Sequence, residues 1–212
     1  MSVVVLFDVD NTLFDTERFR RALDHALTET VGSDRAAAFW AHYEAVRAAW
    51  GHVDLPEAIH RLTSDDPVIG EAARQCIKAL PVSAFVASGA AAALAAAAAI
   101  GRPVIVSDGD PVFQRRKIEQ SGLAAAVGGR VRIFQHKEAH TAEIIAEFPA
   151  DHYWLVDDKL RILSTFKRVL GSRLTTVQVA YGAYAAALPQ ADDLPPDFVV
   201  SEVGDVAMLL SG

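Results

Sequence analysis

Short apolar runs recur along the chain, and each stops at acidic or small polar residues. Val3-Val4-Val5-Leu6-Phe7 meets Asp8, Val104-Ile105-Val106 meets Ser107, and Tyr153-Trp154-Leu155-Val156 meets Asp157-Asp158. Two further runs, 174–180 and 198–200, have the same β-branched character. Runs this short and this continuous predict strands of a sheet covered on both faces. Helical stretches are expected between them over 90–100, 111–121, 141–147 and 160–170, with Gly101 and Gly122 where C-caps fall. Strands alternating with helices predict an α/β fold built on a parallel, Rossmann-like sheet.

One segment breaks the alternation. Residues 16–81 contain no strand pattern, but they carry Ala-, Leu-, Phe- and Trp-rich helical stretches at 18–30, 34–50, 55–63 and 68–80. Asp65-Asp66-Pro67 is the breaker before the last of these. The pattern predicts an all-helical insert directly after the first strand. Residues 85–100 form an Ala-dominated apolar run that continues past Gly101-Arg102-Pro103 into the next strand. A bilayer span takes about 20 apolar residues. Gly101 and Pro103 break this run, so it reads as helix, turn and strand, and no membrane partner is expected.

Composition narrows the classes further. Of 212 residues, 51% are hydrophobic and 22% charged, which is ordinary globular usage and excludes disorder as a whole-chain reading. Twenty basic against 27 acidic residues give a net charge of −7, the wrong sign for a general nucleic-acid or anionic-membrane binder. Cys76 is the one cysteine, so no internal disulfide can form. The first strand meets Asp8 with no basic-then-apolar leader before it, and a cytoplasmic protein is expected.

The candidate chemistry lies at the strand ends, where open α/β sheets bind ligands. Asp8-Val9-Asp10 with Asn11-Thr12 follows the first strand, and Ser107-Asp108-Gly109 follows the second. Lys137 lies in the loop Phe134-Gln135-His136-Lys137-Glu138, and Asp157-Asp158 follows the strand ending at Val156. Carboxylates from two strands make a hard oxygen site suited to Mg²⁺ and a substrate phosphate. A lysine offsets the excess negative charge and holds a phosphate oxygen. An aspartate can attack phosphorus, and a second acid two residues away can protonate the leaving oxygen and then activate water.

Phe7-Asp8-Val9-Asp10-Asn11-Thr12-Leu13-Phe14-Asp15 resembles the first motif of the haloacid dehalogenase-like (HAD) hydrolases. Ser107, Lys137 and Asp157-Asp158 follow in the order and at the spacing of the family's second, third and fourth motifs. The resemblance covers essentially the whole chain. It implies a Rossmann-like core over 1–15 and 82–212, with a helical cap over 16–81. It further implies Asp8 as nucleophile and metal ligand, and Asp10 as general acid/base with its backbone carbonyl on the metal. Ser107, Thr12, Asp108 and Lys137 would bind the phosphoryl group, and Asp157 and Asp158 would complete the Mg²⁺ site, with Asp158 favoured for direct coordination. Many members carry another acid four or five residues further on, where this chain has Ile162 and Leu163; Asp157 would substitute for it, as in paired-Asp forms.

The function so implied is a phosphatase acting on a small phosphorylated metabolite through an aspartyl-phosphate. The alternatives are a sugar phosphomutase with the same catalytic residues, and a non-catalytic HAD-like binding domain. A dehalogenase is disfavoured by Asp10, which the family's true dehalogenases lack. Asp157-Asp158 is also similar to the acidic pair of receiver domains, but receivers carry that pair at the first strand, the reverse of the order here. In the insert, Trp40, His42, Tyr43, Arg47, Trp50 and His52 form an aromatic and basic group, read mainly as helix core and face. Thr16, Glu17, Arg18 and Phe19 lie where a cap mouth would be. His136 and His140 flank Lys137 without further metal-ligating neighbours and read as polar surface, as do Lys117 and Lys159 beside the preferred Lys137.

Overall fold

The structure, a computed structural model, describes residues 1–50, 55–182 and 190–212; His52 and the side chain of Trp50 lie outside the described residues. Six strands form one sheet: β1 (Val3–Phe7), β2 (Arg102–Asp108), β3 (Val131–Phe134), β4 (His152–Asp157), β5 (Leu174–Val179) and β6 (Phe198–Val200). All neighbouring pairs are parallel, in the order β3-β2-β1-β4-β5-β6. The side chains alternate between two cores, as strand geometry demands. Val4 and Leu6 pack with Val104, Val106, Tyr153 and Leu155, while Val5 and Phe7 pack with Ile105, Val156 and Val177. Both faces are therefore dry, which is why these strands read as unbroken apolar runs.

Four helices follow β1 before the chain returns to the sheet: α1 (Thr16–Val31), α2 (Ser33–Trp50), α3 (Leu55–Asp65) and α4 (Pro67–Ala79). Asp15 caps α1 by accepting from the Arg18 N–H at 2.8 Å, and Asp66 caps α4 by accepting from Val68 and Ile69 at 3.0 and 3.2 Å. Pro67 occupies the first turn of α4, where its missing N–H costs nothing. Phe19, Leu23 and Leu27, four residues apart, supply the buried stripe of α1. The two backbone crossings between these helices and the sheet run side by side: the Asp15 N–H donates to the Phe85 carbonyl (2.8 Å) and the Ala87 N–H to that of Leu13 (2.9 Å). Phe14, Phe19 and Phe85 pack across this junction with ring centroids 5.4 to 6.2 Å apart.

The remaining helices cover the sheet: α5 (Ala90–Ile100), α6 (Pro111–Gln120), α7 (Leu123–Ala126), α8 (Thr141–Glu147), α9 (Leu160–Leu170) and α10 (Val206–Ser211). The Ala-rich run folds as α5, burying Ala90, Ala93, Leu94 and Ala97. Among the described residues, no helix is long and apolar enough to cross a membrane. Ile162 and Leu163 are buried in the core with Tyr153 and Leu155 of β4, an apolar setting. Three elements go beyond the sequence expectations. The edge strand β3 has only four residues, one of them Arg132, while α7 and α10 are too short to show a period.

Candidate active site

The strand order reverses between β1 and β4, and the crevice beyond their carboxyl ends collects the acids. Phe7 is in register with Ile105 on one side and Val156 on the other, so Asp8 comes level with Val106 and Asp157. The Asp8 N–H still donates to the Val156 carbonyl (2.9 Å), which holds the residue in the sheet's frame. Asp8, Asp157 and Asp158 are buried, and each offers a carboxylate oxygen within 4.8 Å of the others.

Lys137 bridges Asp8 and Asp157 of this trio. It stands on a single 3₁₀ turn, Lys137–His140, and its side chain is 0% exposed. Its ammonium contacts Asp8 Oδ1, lies 2.7 Å from Asp157 Oδ2 and donates to the Val106 carbonyl at 3.1 Å. Burial works against its charge, but Asp157, Asp8 and Asp108 outweigh burial and hold it protonated well above the usual ammonium range. Asp108 also fixes the backbone, accepting the Lys137 N–H at 2.7 Å. Burial pushes Asp108 up as well.

Two oxygens of the trio lack partners. Asp8 Oδ2 and Asp158 Oδ1 are buried with no hydrogen bond, whereas Asp157 Oδ1 accepts the Lys159 N–H at 2.8 Å. Buried orphan oxygens are rare and call for an explanation. Burial, against the pull of Lys137, raises the Asp8 carboxyl to about 6. Burial and the neighbouring Asp157 and Asp8 raise Asp158 well above its ordinary value. A hard divalent cation fits three such carboxylates and would satisfy the orphans.

Asp10 is held apart from the trio. Both its oxygens lie 2.7 Å from Lys117 Nζ; Gln114 Nε2 donates to Oδ2 and Thr16 Oγ1 to Oδ1, each at 2.6 Å. Burial alone would raise its pKa, but Lys117 and these hydrogen bonds outweigh burial and lower it to about 2. Gln114 and Lys117 stand one turn apart on α6, which Asp110 caps (Phe113 N–H, 2.7 Å) directly after the β2 loop.

The turn after Asp8 is tight. The Phe14 N–H donates to the Val9 carbonyl (2.8 Å) and the Asn11 N–H to that of Phe14 (2.8 Å), with Asn11 at φ 58°. Asn11 Nδ2 reaches Asp158 Oδ2 at 3.4 Å, so the first and fourth motifs touch. Gly182, at φ 73°, lies against this amide; a Cβ there would fall 2.6 Å from Asn11 Cγ. Thr12 and Ser107 are buried close by, the Thr12 hydroxyl without a partner and Ser107 Oγ 3.5 Å from the Asp108 carbonyl.

A cavity of about 90 Å³ opens between the acids and α1–α2. Asp10, Asp108, Asp158 and Lys159 line its sheet side. On the helical side stand Arg20, Trp40, Tyr43 and Arg47, with Thr16, Glu17 and Phe19 at the junction. The Arg20 guanidinium lies 5.1 and 4.8 Å from the Trp40 and Tyr43 rings and pairs with Glu44 at 2.9 Å. His42 pairs with Asp65 (3.2 Å), Arg18 packs over Phe85, and His140 stacks on Phe134; none of these three lines the cavity.

The structure thus brings together Asp8, Lys137, Asp157 and Asp158, with Asp10 and Asp108 lining the cavity beside them, while Ser107 is buried at the end of β2 with its hydroxyl turned to the Asp108 carbonyl. Two residues expected as surface charges are corrected: Lys117 is buried against Asp10, and Lys159 lines the cavity. Gln114, Arg20 and Gly182 carried no expectation. A signal for Gln114 and Lys117 was present in the spacing, because the buried stripe of α6 runs through Gln114, Lys117 and Ile118.

A doubly wound sheet with buried acids and lysines at its carboxyl edge defines a Rossmann-like α/β protein with an enzyme-type centre. The chain belongs to the haloacid dehalogenase-like hydrolase family, whose model matches residues 3–169. A protein of Burkholderia xenovorans LB400, described as a haloacid dehalogenase-like hydrolase, is 36% identical, with a TM-score of 0.90 over 98% of this chain and 96% of its own. The L-2-haloacid dehalogenase of Xanthobacter autotrophicus, solved with chloropropionic acid covalently bound, is 19% identical (TM-score 0.64; 100% and 99% covered). A Thermotoga maritima protein described as a β-phosphoglucomutase is 14% identical (TM-score 0.63; 100% and 99% covered). The last two share the fold alone, and their different names show that the fold does not select the reaction. No curated protein matches the chain.

Proposed function

We propose that this protein is a Mg²⁺-dependent phosphatase that hydrolyses a small phosphorylated metabolite through an aspartyl-phosphate on Asp8. One observation carries the reading: the Asp8 carboxylate is oriented through Oδ1 by Lys137 while its other oxygen has no hydrogen bond, in an acidic trio that adjoins a cavity lined by Asp10. Asp8, Asp157, Asp158 and the Asp10 backbone carbonyl would hold Mg²⁺, which supplies charge neutralisation between the phosphoryl oxygens and the nucleophile.

In this reading an Asp8 oxygen attacks phosphorus, the bond to the leaving oxygen breaks, and Asp10 donates a proton to that oxygen. Water then attacks the aspartyl-phosphate while Asp10 takes its proton, releasing phosphate and restoring Asp8. Ser107, Thr12, Asp108 and Lys137 bind the phosphoryl group. Asp10 in its present position is ionised and clasped by Lys117, so donation follows its release from that contact. Residues 16–81 act as a cap on a core of 1–15 and 82–212, covering the cavity during turnover. The cavity is small, about 90 Å³, which favours a short leaving group. A cytoplasmic enzyme without nucleic-acid or membrane partners suits the net charge of −7.

The test is phosphate release from p-nitrophenyl phosphate and a panel of metabolite phosphates, with Mg²⁺ or EDTA, for the wild type and Asp8→Asn. EDTA-sensitive turnover that the variant lacks is expected. Isomerised sugar phosphate without phosphate release points instead to a mutase, halide release from a 2-haloacid to a dehalogenase, and Mg²⁺ binding without turnover to a binding domain.

A further inference from the structure

Three lysines surround the acids, and each is engaged differently. An ammonium has three N–H donors. Those of Lys137 face Asp8, Asp157 and the Val106 carbonyl, inside a fully enclosed site. Lys117 is spent on both oxygens of Asp10. Lys159 differs in place: its side chain lines the cavity together with Asp10 and Asp158. Its backbone is fixed by the N–H bond to Asp157 Oδ1 and by its position at the start of α9, so the stem leaves from a set point beside the trio. A lysine ammonium is a strongly hydrated point charge, and here it shares the cavity wall with two carboxylates.

We propose that Lys159 is the cation that meets the substrate's phosphoryl oxygens from the cavity side, and that it competes with the divalent cation for the field of Asp8, Asp157 and Asp158. The first half rests on the phosphatase reading above; the second does not. The charge balance gives the sign. With all three carboxylates ionised, as a bound cation requires, Lys137 and Lys159 leave one net negative charge, and without Lys159 there are two. A divalent cation is then held more tightly and an anion less tightly. Damage to the fold weakens both, so opposite changes identify the electrostatic role. The ammonium and the cation are drawn by the same oxygens, so metal loading favours Lys159 reaching outward, toward the place the phosphoryl group takes.

The experiment is calorimetric titration of Mg²⁺ alone, and of inorganic phosphate at saturating Mg²⁺, into wild type, Lys159→Met, Lys159→Gln and Lys159→Arg. For Met and Gln the expected result is Mg²⁺ binding on the order of tenfold tighter and phosphate binding on the order of tenfold weaker, with KM for any hydrolysed phosphate raised. Lys159→Arg keeps the charge and restores both affinities toward wild type. Mg²⁺ affinity unchanged or weakened in folded Met or Gln protein overturns the competition, and unchanged phosphate affinity overturns the anion contact. Wild-type protein that binds neither Mg²⁺ nor phosphate overturns both. A wild type that binds Mg²⁺ but hydrolyses nothing sinks the phosphatase reading while the Mg²⁺ comparison still decides the competition.

Discussion

Lys117 Nζ lies 2.7 Å from both carboxylate oxygens of Asp10, although 107 residues separate the two in the chain. The pair joins α6 to the turn after β1, and Gln114 and Thr16 complete its hydrogen bonds. Asp10 is the group expected to move protons, and here it is held as a carboxylate. In the proposed mechanism the clasp sets when Asp10 can act.

Replacing Lys117 by Met removes the main lowering influence on Asp10 and leaves its burial and the Thr16 and Gln114 hydrogen bonds, so its pKa rises from about 2. An NMR titration of the Asp10 carboxyl carbon measures this directly; a value still near 2 contradicts the assignment. The folded pKa lies below the unfolded one, so wild-type Asp10 stabilises the fold above pH 3.8 and this contribution fades as pH falls toward 2. Lys117→Met loses part of that contribution at neutral pH.

Asp10→Asn keeps the size of the side chain but removes proton transfer. Turnover of alkyl phosphates should fall by roughly 10²–10⁴, the usual range for a lost general acid or base. Aryl phosphates leave without protonation and should lose less in the first step. Steady-state kinetics on one substrate of each type decides the point, and equal losses would assign Asp10 a different role.

Asp8 titrates in the opposite sense. Its folded pKa, about 6, lies above the unfolded value, so burial of the charged form costs stability as pH rises from about 4 to 6. A cation bound by the ionised trio must displace that proton at low pH. Added Mg²⁺ should thus raise the melting temperature more at pH 7.5 than at pH 5. Scanning calorimetry at both values checks this; an equal or larger rise at pH 5 contradicts it.

Gly182 shapes the site from outside the motifs. An alanine there carries a Cβ 2.6 Å from Asn11 Cγ, on a backbone with φ 73°. Asn11 must shift, and with it the contact to Asp158 Oδ2. Gly182→Ala should cost about 1 kcal/mol or more in stability and weaken Mg²⁺ binding severalfold. Unchanged melting and unchanged Mg²⁺ affinity would show that the turn yields freely.

The sheet's centre was legible because β1 and β4 are buried on both faces, which forces unbroken apolar runs up to Asp8 and Asp157. The order of strand-end residues was equally legible, since each polar break marks a carboxyl edge. The edge strand β3 was not: Val131-Arg132-Ile133-Phe134 is short, and its Arg132 faces Glu147 across the surface. The roles of Lys117 and Lys159 were hidden for another reason. A lysine's sequence context does not show whether its stem runs outward or turns in toward carboxylates brought up from remote strands. Lys137 was distinguished from them only by its place in the motif order, and the structure shows all three engaged.

The proposed phosphatase mechanism requires a covalent bond between Asp8 and phosphorus. The most direct measurement is acid-quench mass spectrometry of the wild type and Asp8→Asn, mixed with Mg²⁺ and a hydrolysed phosphate ester on the millisecond scale. The prediction is one phosphoryl group on the peptide containing Asp8, appearing before phosphate is released and absent from the variant. Steady turnover with no phosphorylated peptide at any quench time, or a phosphoryl group on another residue, would contradict it.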